Sequence, residues 1–155
     1  MEIERRFLVA QDPPLHLARA RHKIRQGYLA IDDVAKSSVR IRVSDLWEPM
    51  LTAKSGTGLS REEEGIALSY GDFVRLWPLT QGHRVEKVRH EIPDGDLLFE
   101  LDVFGSDDSN ARLVEVEFPS DAAARAFVPP PWFGREVTDD SRYTNAMIAR
   151  HGFPE

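Results

Sequence analysis

Short stretches of alternating apolar and polar residues recur along this chain, beginning with EIERRFLV near its start. A period of two is typical of a half-buried β-strand, because successive side chains point to opposite faces. Clusters of Gly, Asp, Ser and Pro, such as residues 55–58 and 105–108, separate most of these stretches and indicate turns. The pattern predicts eight strands, at residues 1–9, 22–31, 37–44, 48–55, 58–68, 84–92, 97–104 and 111–118.

Three segments have the end signals of short helices, at residues 69–79, 120–128 and 141–152. The first has Ser69 as a predicted N-cap, with the acidic Asp72 three residues farther on. The third is predicted to be capped by Ser141 and to end at Gly152. Strands in sequential order with few helices predict an α+β fold, an antiparallel eight-stranded β-barrel or strongly curved sheet with a few covering helices.

Charged residues occur in pairs, two positions apart, within most of the predicted strands. The pairs are Glu2 and Glu4, Arg40 and Arg42, Lys87 and Arg89, Glu100 and Asp102, and Glu115 and Glu117. Each pair lies on one face of its strand, and the simplest interpretation is a solvent-exposed face of a sheet. Each pair carries a single sign, however, whereas solvated faces intersperse both signs. The last two pairs would share one face of a hairpin, where their repulsion calls for compensation by cations.

The alternative is a closed barrel with these faces pointing inward. Its interior would hold the acids Glu2, Glu4, Glu63, Glu100, Asp102, Glu115 and Glu117. It would also hold the bases Arg6, Arg40, Arg42, Lys54, Arg61, Lys87 and Arg89. Such an interior cannot be a dry core, because buried charges need partners or water. The pattern favours a wet tunnel whose guest is a polyanion, held by the bases and bridged to the carboxylates by divalent metal ions.

Composition and charge restrict the class of protein. The chain has 155 residues, 41% of them hydrophobic and 30% charged, and we expect one soluble domain over residues 1–155. It has no cysteine, which excludes disulfides and thiolate metal sites. Neither a secretory signal nor an apolar run of ~20 residues is present, so we expect a cytoplasmic protein that does not insert into membranes. A net charge of −6 argues against nucleic-acid binding.

Other catalytic signatures are weak. The five histidines have no metal-ligand spacing and are interpreted mostly as surface residues. The stretch SGTGLS lacks the ending of a phosphate-binding P-loop and is interpreted as a turn. Trp47, Trp77 and Trp132 are expected to pack in the core or to cover it. Tyr28 fits either a place near the basic residues or a packing role, and both interpretations stay open.

The motifs on these strands resemble, in order, those of the CYTH superfamily, the triphosphate tunnel metalloenzymes. EIERRFLV resembles the ExExK signature, and the later matches are IRQGYL, VRIRV, LTAKSG, LSREE, VEKVRHEIPDG, FELDVF, LVEVEF and WFGREVTDDSRYTN. The resemblance covers nearly the whole chain and implies a single CYTH domain, an eight-stranded antiparallel barrel around a tunnel. It also implies a metal-dependent phosphohydrolase acting on a triphosphate, most similar to the short bacterial inorganic tripolyphosphatases.

Residue roles follow from the resemblance, position by position. It implies metal ligation by Glu2, Glu4, Glu63, Glu115 and Glu117, with Glu100 and Asp102 on the family's acidic strand as further candidate ligands. It implies phosphate binding by Arg40, Arg42, Lys54, Arg61, Lys87 and Arg89. The candidate catalytic residues are Glu4, Arg6, Tyr28 and Lys87. Two positions depart from the family pattern: Arg6 replaces the lysine of the signature, and Gly65 stands where the family usually has another acid.

The resemblance also implies a cofactor and a substrate. The expected cofactor is Mg²⁺ or Mn²⁺, with two ions bound, and the expected reaction is cleavage of inorganic tripolyphosphate to pyrophosphate and phosphate. Two other enzymes of the superfamily stay open, a class IV adenylate cyclase and a thiamine or nucleoside triphosphatase. A third alternative is a non-catalytic sensor that binds polyphosphate or a nucleotide in the same tunnel. The chain is expected to act as a monomer or homodimer.

Overall fold

Antiparallel strands dominate the structure, a computed structural model that describes residues 1–56, 59–106 and 108–154. The strands are β1 (Glu2–Val9), β2 (Ala20–Asp32), β3 (Ser37–Ser44), β4 (Met50–Ser55), β5 (Ser60–Ala67), β6 (Arg84–Asp94), β7 (Leu97–Phe104), β8 (Arg112–Glu117) and β9 (Phe133–Glu136). The α-helices are α1 (Tyr70–Leu76), α2 (Asp121–Ala126) and α3 (Asn145–His151). Short 3₁₀ helices lie at Leu15–Leu17, Trp77–Thr80 and Ser141–Tyr143.

The first eight strands close into a barrel. Around it the order is β5, β4, β3, β2, β6, β7, β8 and β1, and β1 then pairs with β5. The closing contact has two residue pairs, Glu2 with Arg61 and Ile3 with Ser60. The second half of β1 pairs with β9 as well as with β8. The predicted antiparallel eight-stranded barrel is therefore confirmed, and β9 is an added strand at its edge.

The register of neighbouring strands places paired charges on the inner face of the barrel. Glu4 lies opposite Glu117 across β1 and β8, and Glu115 lies opposite Glu100 across β8 and β7. Because side chains alternate, the residues between these charges point outward. Leu101, which lies between Glu100 and Asp102 on β7, is one of these residues, and it is fully buried in the hydrophobic core outside the barrel. The expectation that these charged faces point inward is therefore confirmed.

The main hydrophobic core lies outside the barrel, against β1, β7 and β8. The ring of Phe133 packs 5.0 Å from Phe7 and 5.1 Å from Phe99, measured between centroids. Ala124 of α2 and the following Phe127 extend the same cluster. Burial of one Phe side chain stabilises a fold by about 1.5–3 kcal/mol. This packing outside the barrel stabilises the fold and leaves part of the interior free for charged groups.

A second apolar cluster fills one end of the barrel interior. Tyr28, Phe104 and Leu113 belong to β2, β7 and β8, and they form one cluster with Ile148 of α3. Tyr143, in the 3₁₀ helix that precedes α3, belongs to the same cluster. The C-terminal segment therefore packs against this end of the barrel, and charged residues line a cavity in another part of the interior.

Helix α1 and the 3₁₀ helix after it pack on the outside of β2 and β3. The Ser69 hydroxyl caps α1 by accepting a hydrogen bond from the Asp72 N–H at 3.0 Å, as predicted. The 3₁₀ helix brings Thr80 against Gly27 of β2, where a Cβ atom would lie 2.4 Å from the Thr80 hydroxyl oxygen. A residue with a side chain at position 27 would therefore push these two elements apart.

Two features of the C-terminal third differ from the sequence predictions. Strand β9 has no predicted counterpart, because its four residues FGRE are too few to show alternation. Helix α3 begins at Asn145 and is capped by Thr144, whose hydroxyl accepts a hydrogen bond from the Met147 N–H at 3.2 Å. Ser141, the predicted cap, begins a separate 3₁₀ helix instead. Gly152 ends α3 with a φ of 83°, as predicted.

Two predicted turns fall partly outside the described residues. Thr57, Gly58 and Asp107 belong to these turns, and Gly58 also begins the predicted fifth strand. The strands on either side, β4 with β5 and β7 with β8, pair in antiparallel register. The antiparallel pairing of the strands on either side of these turns is therefore as expected.

Candidate active site in the barrel interior

A cavity of about 270 Å³ occupies the charged part of the barrel interior. Fourteen of the predicted site residues line it: Glu2, Glu4, Arg6, Tyr28, Arg40, Arg42, Lys54, Arg61, Glu63, Lys87, Arg89, Glu100, Glu115 and Glu117. With Asp32, Asp33 and Lys36, eight acidic and eight basic side chains surround the cavity among the described residues. Formal charges of the two signs therefore balance in this cavity.

The two signs of charge come from different sides of the barrel. Acidic side chains come mainly from the adjacent strands β1, β8 and β7, and basic side chains come from β6, β3 and β4. We call the first set the acidic wall, formed by Glu2, Glu4, Glu100, Glu115 and Glu117. We call the second set the basic wall, formed by Arg40, Arg42, Lys54, Lys87 and Arg89. Strand β5 supplies one residue of each sign, Arg61 and Glu63.

Arg6 lies between two carboxylates of the acidic wall. Its guanidinium donates hydrogen bonds to Glu4 at 3.1 Å and to Glu115 at 3.4 Å, and all three side chains are buried. Burial, and next repulsion from Glu115, raise the pKa of Glu4 to about 7. Burial also acts to raise the pKa of Glu115, but the charges of Arg6 and Lys87 prevail and hold it well below its usual value. Glu115 is thus ionised, and Glu4 gains its full charge readily when a cation enters.

A second group of carboxylates lies at the seam where β1 meets β5. Glu2 accepts hydrogen bonds from Lys54 at 3.2 Å and from Arg61 at 3.4 Å, and Arg61 also bonds to Glu4. Glu63 lies 3.9 Å from Lys54 and shares a hydrogen bond with Glu2. Burial, and next the hydrogen bond to Glu63, raise the pKa of Glu2. Burial also acts to raise the pKa of Glu63, but the hydrogen bond to Glu2 and the charge of Lys54 outweigh it and lower that pKa. Where two carboxyl groups share a proton, a metal cation can bind both groups in place of that proton.

Arg40 and Arg42 project from β3 with guanidinium groups that protein carboxylates neutralise only in part. Arg40 lies 3.8 Å from Glu63, and its buried Nε donates no hydrogen bond to any described residue. The Arg42 guanidinium lies over the ring of Trp47, 4.7 Å from the centroid. Burial, and next repulsion from Arg40 and Arg89, lower the pKa of Arg42 to about 10. Buried cationic groups that are only partly neutralised are stabilised by an added anion.

Lys87 and Arg89 share one buried carboxylate, that of Asp102. Lys87 Nζ lies 2.7 Å from Asp102 Oδ2, and Arg89 donates to the two carboxylate oxygens at 2.8 and 2.9 Å. Arg89 also donates to Glu100 at 2.7 Å. Burial lowers the pKa of Lys87 to about 8, against the opposing effect of Asp102.

Asp102 is placed differently from the other candidate metal ligands. Its side chain is fully buried and does not border the cavity, unlike the other predicted site residues. Both of its oxygens are engaged by Arg89, and one of them also by Lys87. Asp102 is therefore placed to hold these two bases from behind, and its role as a metal ligand stays a prediction.

Tyr28 combines the two roles that the sequence left open. It is 3% exposed and belongs to the apolar cluster that contains Leu113 and Ile148. It also lines the charged cavity. Tyr28 therefore stands at the boundary between the apolar end of the barrel and the charged part.

Four polar or aromatic residues of the interior were not predicted to be there. His22 is fully buried, unlike the surface position expected for most of the histidines. Its Nδ1 lies 2.9 Å from Ser44 Oγ, and its ring packs 4.7 Å from that of Trp47. Gln26 is buried too, and Trp47 and Asn145 line the cavity. His22 and Gln26 lie on the inward positions of β2, so the alternation could have identified them. Asn145 belongs to α3, and no strand pattern indicates it.

The two positions that depart from the family pattern have different surroundings. Arg6 keeps the positive charge of the signature lysine and reaches the two carboxylates of Glu4 and Glu115. Gly65 lies opposite Thr52 in the β4–β5 pairing, and a Cβ atom there would lie 3.0 Å from Met50 Sδ. Met50 therefore takes up space that a larger side chain at position 65 would need.

The acidic wall offers the oxygen ligands that a hard divalent cation prefers. Within the described ranges, no three acidic or histidine side chains already form a metal cluster. The reason is that Arg6, Lys54 and Arg61 lie between the carboxylates. Glu117 is exposed at the rim of the cavity; burial, and next repulsion from Glu2, raise its pKa. The donor set fits Mg²⁺ or Mn²⁺ in its chemistry, provided that carboxylates exchange basic partners for the cation.

A closed eight-stranded barrel with acidic and basic walls defines the class of triphosphate tunnel, or CYTH, proteins. The chain is 49% identical over 151 residues to an inorganic triphosphatase of Nitrosomonas europaea, covering 96% of each protein. It is 31% identical over 153 residues to an inorganic triphosphatase of Acetivibrio thermocellus, covering 98% of this chain and 95% of the relative. The chain therefore belongs to the inorganic triphosphatase family of CYTH proteins.

Solved structures agree with this assignment. The crystal structure of an inorganic triphosphatase matches with a TM-score of 0.68 and 44% identity, over 97% of this chain and 95% of the other. A protein of Pyrococcus horikoshii matches with a TM-score of 0.62 and 15% identity, over 81% and 82% of the two chains, which shows a shared fold alone. No protein-family model matches the sequence. None of the helices in the described part of the chain has the length and apolar character needed to cross a membrane.

Proposed function

We propose that this protein hydrolyses inorganic tripolyphosphate to pyrophosphate and phosphate inside the charged cavity, with Mg²⁺ or Mn²⁺ as the metal. The observation that carries the proposal is the basic wall, whose five cationic side chains line one cavity opposite the carboxylates of the acidic wall. Protein carboxylates neutralise the guanidinium groups of Arg40 and Arg42 only in part, and an anionic acceptor such as a phosphoryl oxygen would complete their pairing. The relatives are named inorganic triphosphatases, which agrees with such a ligand.

Charge balance supports the joint binding of a polyanion and a metal. The eight acidic and eight basic side chains balance in formal charge, and the raised pKa values of Glu4 and Glu2 leave only a small positive excess, so a tripolyphosphate anion alone would leave the cavity with excess negative charge. Divalent cations restore the balance, and the groups that would hold them are Glu2, Glu4, Glu63, Glu115 and Glu117. When bound, such a cation neutralises phosphoryl charge and lowers the pKa of a water molecule.

The basic wall would bind and orient the substrate. Arg40, Arg42 and Arg89 present planar groups with several donors that match phosphoryl oxygens, and Lys54 and Lys87 add compact positive charges. In-line attack of water on a terminal phosphorus needs little covalent assistance, so positioning and charge stabilisation account for most of the rate. The same bases stabilise the negative charge that develops on the leaving pyrophosphate.

The cavity favours a bare polyphosphate over a nucleotide. Trp47 is the lining residue best suited to stack on a base, but its ring already contacts Arg42 and His22. A site that reads a base needs an available aromatic face or placed donors and acceptors. We therefore expect kcat/KM for tripolyphosphate to be at least about tenfold higher than for ATP, a difference of ~1.4 kcal/mol.

The test of this proposal is a side-by-side assay of tripolyphosphate, ATP and thiamine triphosphate at equal free Mg²⁺, with products resolved by ³¹P NMR or ion chromatography. The expected products of tripolyphosphate are pyrophosphate and phosphate. Cyclic AMP from ATP would instead identify an adenylate cyclase. Tight binding without any product would identify a sensor, and faster cleavage of thiamine triphosphate would keep the mechanism but overturn the substrate.

The metal assignment is tested by a matched pair of variants. Glu117→Gln removes a proposed ligand, whereas Glu64→Gln makes the same change at an exposed position of β5. We expect Glu117→Gln to raise the Mg²⁺ concentration for half-maximal activity by at least about tenfold, because a neutral amide binds a hard cation more weakly than a carboxylate. Equal Mg²⁺ requirements in the two variants would show that Glu117 holds no metal.

A further inference from the structure

Asn145 is a polar residue of the cavity that comes from outside the barrel strands. It is the first residue of α3, and its side chain lines the cavity. Its Oδ1 accepts hydrogen bonds from Lys87 Nζ at 2.9 Å and from Gln26 Nε2 at 3.1 Å. One amide oxygen therefore links β6 and β2 to the C-terminal helix.

The two donors determine which way the Asn145 amide faces. An ammonium group can only donate, so Asn145 must turn its oxygen toward Lys87. Lys87 and Gln26 are buried, with 2% and 0% of their surface exposed, and turning the amide over would point its N–H donors at the donors of both residues. The Nδ2 group of Asn145 consequently points away from both, and it donates no hydrogen bond to another described residue.

Lys87 also has a hydrogen left to donate. Its ammonium group carries three hydrogens, and Asp102 at 2.7 Å and Asn145 at 2.9 Å account for two of them. Lys87 is anchored by these contacts, and both Lys87 and Asn145 line the same cavity. The remaining N–H of Lys87 is charged and the Nδ2 group of Asn145 is neutral, and both are available to oxygens of a phosphoryl group bound there.

We infer that Asn145 is a substrate-binding residue, whose Nδ2 group donates a hydrogen bond to the phosphoryl group that Lys87 binds. The inference rests on the proposed function, because it takes the ligand to be a polyphosphate. A neutral donor suits this place, since it adds a hydrogen bond without disturbing the charge balance of the cavity. The C-terminal helix thereby contributes directly to substrate binding.

A simpler role for Asn145 would be to position Lys87 without touching the substrate. Asn145→Asp separates the two roles. The aspartate keeps an oxygen for Lys87 and Gln26 but places a second, negatively charged oxygen where the Nδ2 donor was. A positioning role predicts that Asn145→Asp retains function better than Asn145→Ala, whereas a binding role predicts the opposite order, because the new oxygen repels the phosphoryl group.

The experiment compares the wild type with Asn145→Asp, Asn145→Ala and the control Asn110→Asp, which makes the same change at an exposed residue that does not line the cavity. Isothermal titration calorimetry gives Kd for imidotriphosphate, a non-hydrolysable analogue, with Mg²⁺ present, and steady-state assays give kcat and KM for tripolyphosphate. We expect Kd to rise at least about thirtyfold in Asn145→Asp and about fivefold in Asn145→Ala, and KM to rise in the same order. In the control Asn110→Asp, Kd should stay within about twofold of the wild type.

The possible failures of the two proposals differ. A wild-type protein that neither binds the analogue nor cleaves tripolyphosphate would overturn the proposed function. A wild-type protein that does both, with Asn145→Asp equal to it or better than Asn145→Ala, would overturn the role of Asn145 alone. Circular dichroism checks folding of each variant, and if Asn145→Asp does not fold, an unchanged Kd in Asn145→Ala overturns the inference.

Discussion

At the scale of single residues, the charges of Lys87, Arg89 and Asp102 depend on one another. Burial acts to raise the pKa of Asp102, but Arg89 and Lys87 outweigh it and keep the pKa below its usual value. The carboxylate is therefore ionised at neutral pH and offsets part of the charge of both bases. A buried group of this kind is favourable while all members are present, and it becomes costly when one is removed.

Removal of the Asp102 charge is expected to destabilise the fold. Asp102→Asn leaves Lys87 and Arg89 buried without their shared counterion, which should lower the free energy of unfolding by about 3–5 kcal/mol. The control Asp72→Asn removes the carboxylate of an exposed ion pair with Arg75 and should cost less than about 1 kcal/mol. Urea denaturation, followed by circular dichroism, measures both.

The same variant tests whether Asp102 supports the two bases or holds a metal ion. If Asp102 held a metal ion, Asp102→Asn would raise the Mg²⁺ requirement of the enzyme and leave the urea midpoint of the metal-free protein nearly unchanged. That result would support the role that was predicted from the family resemblance. A large shift of the urea midpoint in the metal-free protein would instead support the structural role.

Alternation predicted which strand residues point inward, but not which of them meet. The face of a strand residue follows from its position in the strand, so Glu4, Arg42 and Glu115 were placed correctly from sequence. Whether an inward residue reaches the cavity depends on the register of neighbouring strands, and Asp102 lies behind Arg89 for that reason. Asn145 lies on a helix whose contact with the barrel has no period in the sequence.

At the scale of elements, the close approach of β2 to the 3₁₀ helix at Trp77–Thr80 is the most demanding contact. The Thr80 hydroxyl donates to the Trp77 carbonyl at 2.7 Å and accepts from Arg84 Nε at 3.0 Å. Thr80 is therefore held in place and cannot move aside easily. Gly27 leaves room for it, and the contact requires that no side chain be present there.

Gly27→Ala is expected to lower the free energy of unfolding by about 1–3 kcal/mol, because its Cβ would overlap Thr80. The matched control is Gly71→Ala in α1, where the nearest atom to a new Cβ is Ser69 Oγ at 3.8 Å. That change should be neutral or stabilising by up to about 1 kcal/mol, because alanine favours a helix over glycine. Thermal and urea denaturation compare the two, and equal effects would show that β2 and the 3₁₀ helix are not tightly packed.

The bounds of elements were predictable where local chemistry decides them. The predicted strands 37–44 and 97–104 coincide with β3 and β7. The predicted helix 69–79 divides at Trp77, because Pro78 has no N–H for an α-helical hydrogen bond and begins a 3₁₀ helix instead. For α3 the sequence predicted Ser141 as the cap, whereas Thr144 caps the helix in the structure, directly after Tyr143 of the apolar cluster.

At the scale of the whole molecule, barrel closure and charge balance are linked. β1 and β5 share two residue pairs, whereas β1 and β8 share five. Arg61 crosses the short seam to bond Glu2 and Glu4, so ion pairs supplement the backbone pairing there. The substrate and the metal would engage these same charges, and their binding should therefore be felt in the stability of the entire barrel.

We expect imidotriphosphate and Mg²⁺ together to raise Tm by more than the sum of their separate effects. The anion alone adds negative charge to a balanced cavity, and the cation alone must displace bases from the carboxylates, so each alone should shift Tm by less than about 2 °C. Together they preserve the balance. At a ligand concentration of about 100 times Kd, binding contributes ~2.7 kcal/mol, which corresponds to roughly 5–10 °C for a chain of this length.

Differential scanning fluorimetry measures these shifts in Tm, and KCl at matched ionic strength provides the control for screening. A full shift with the anion alone would mean that the basic wall binds polyphosphate without the carboxylates, and the assignment of metal to the acidic wall would then be wrong.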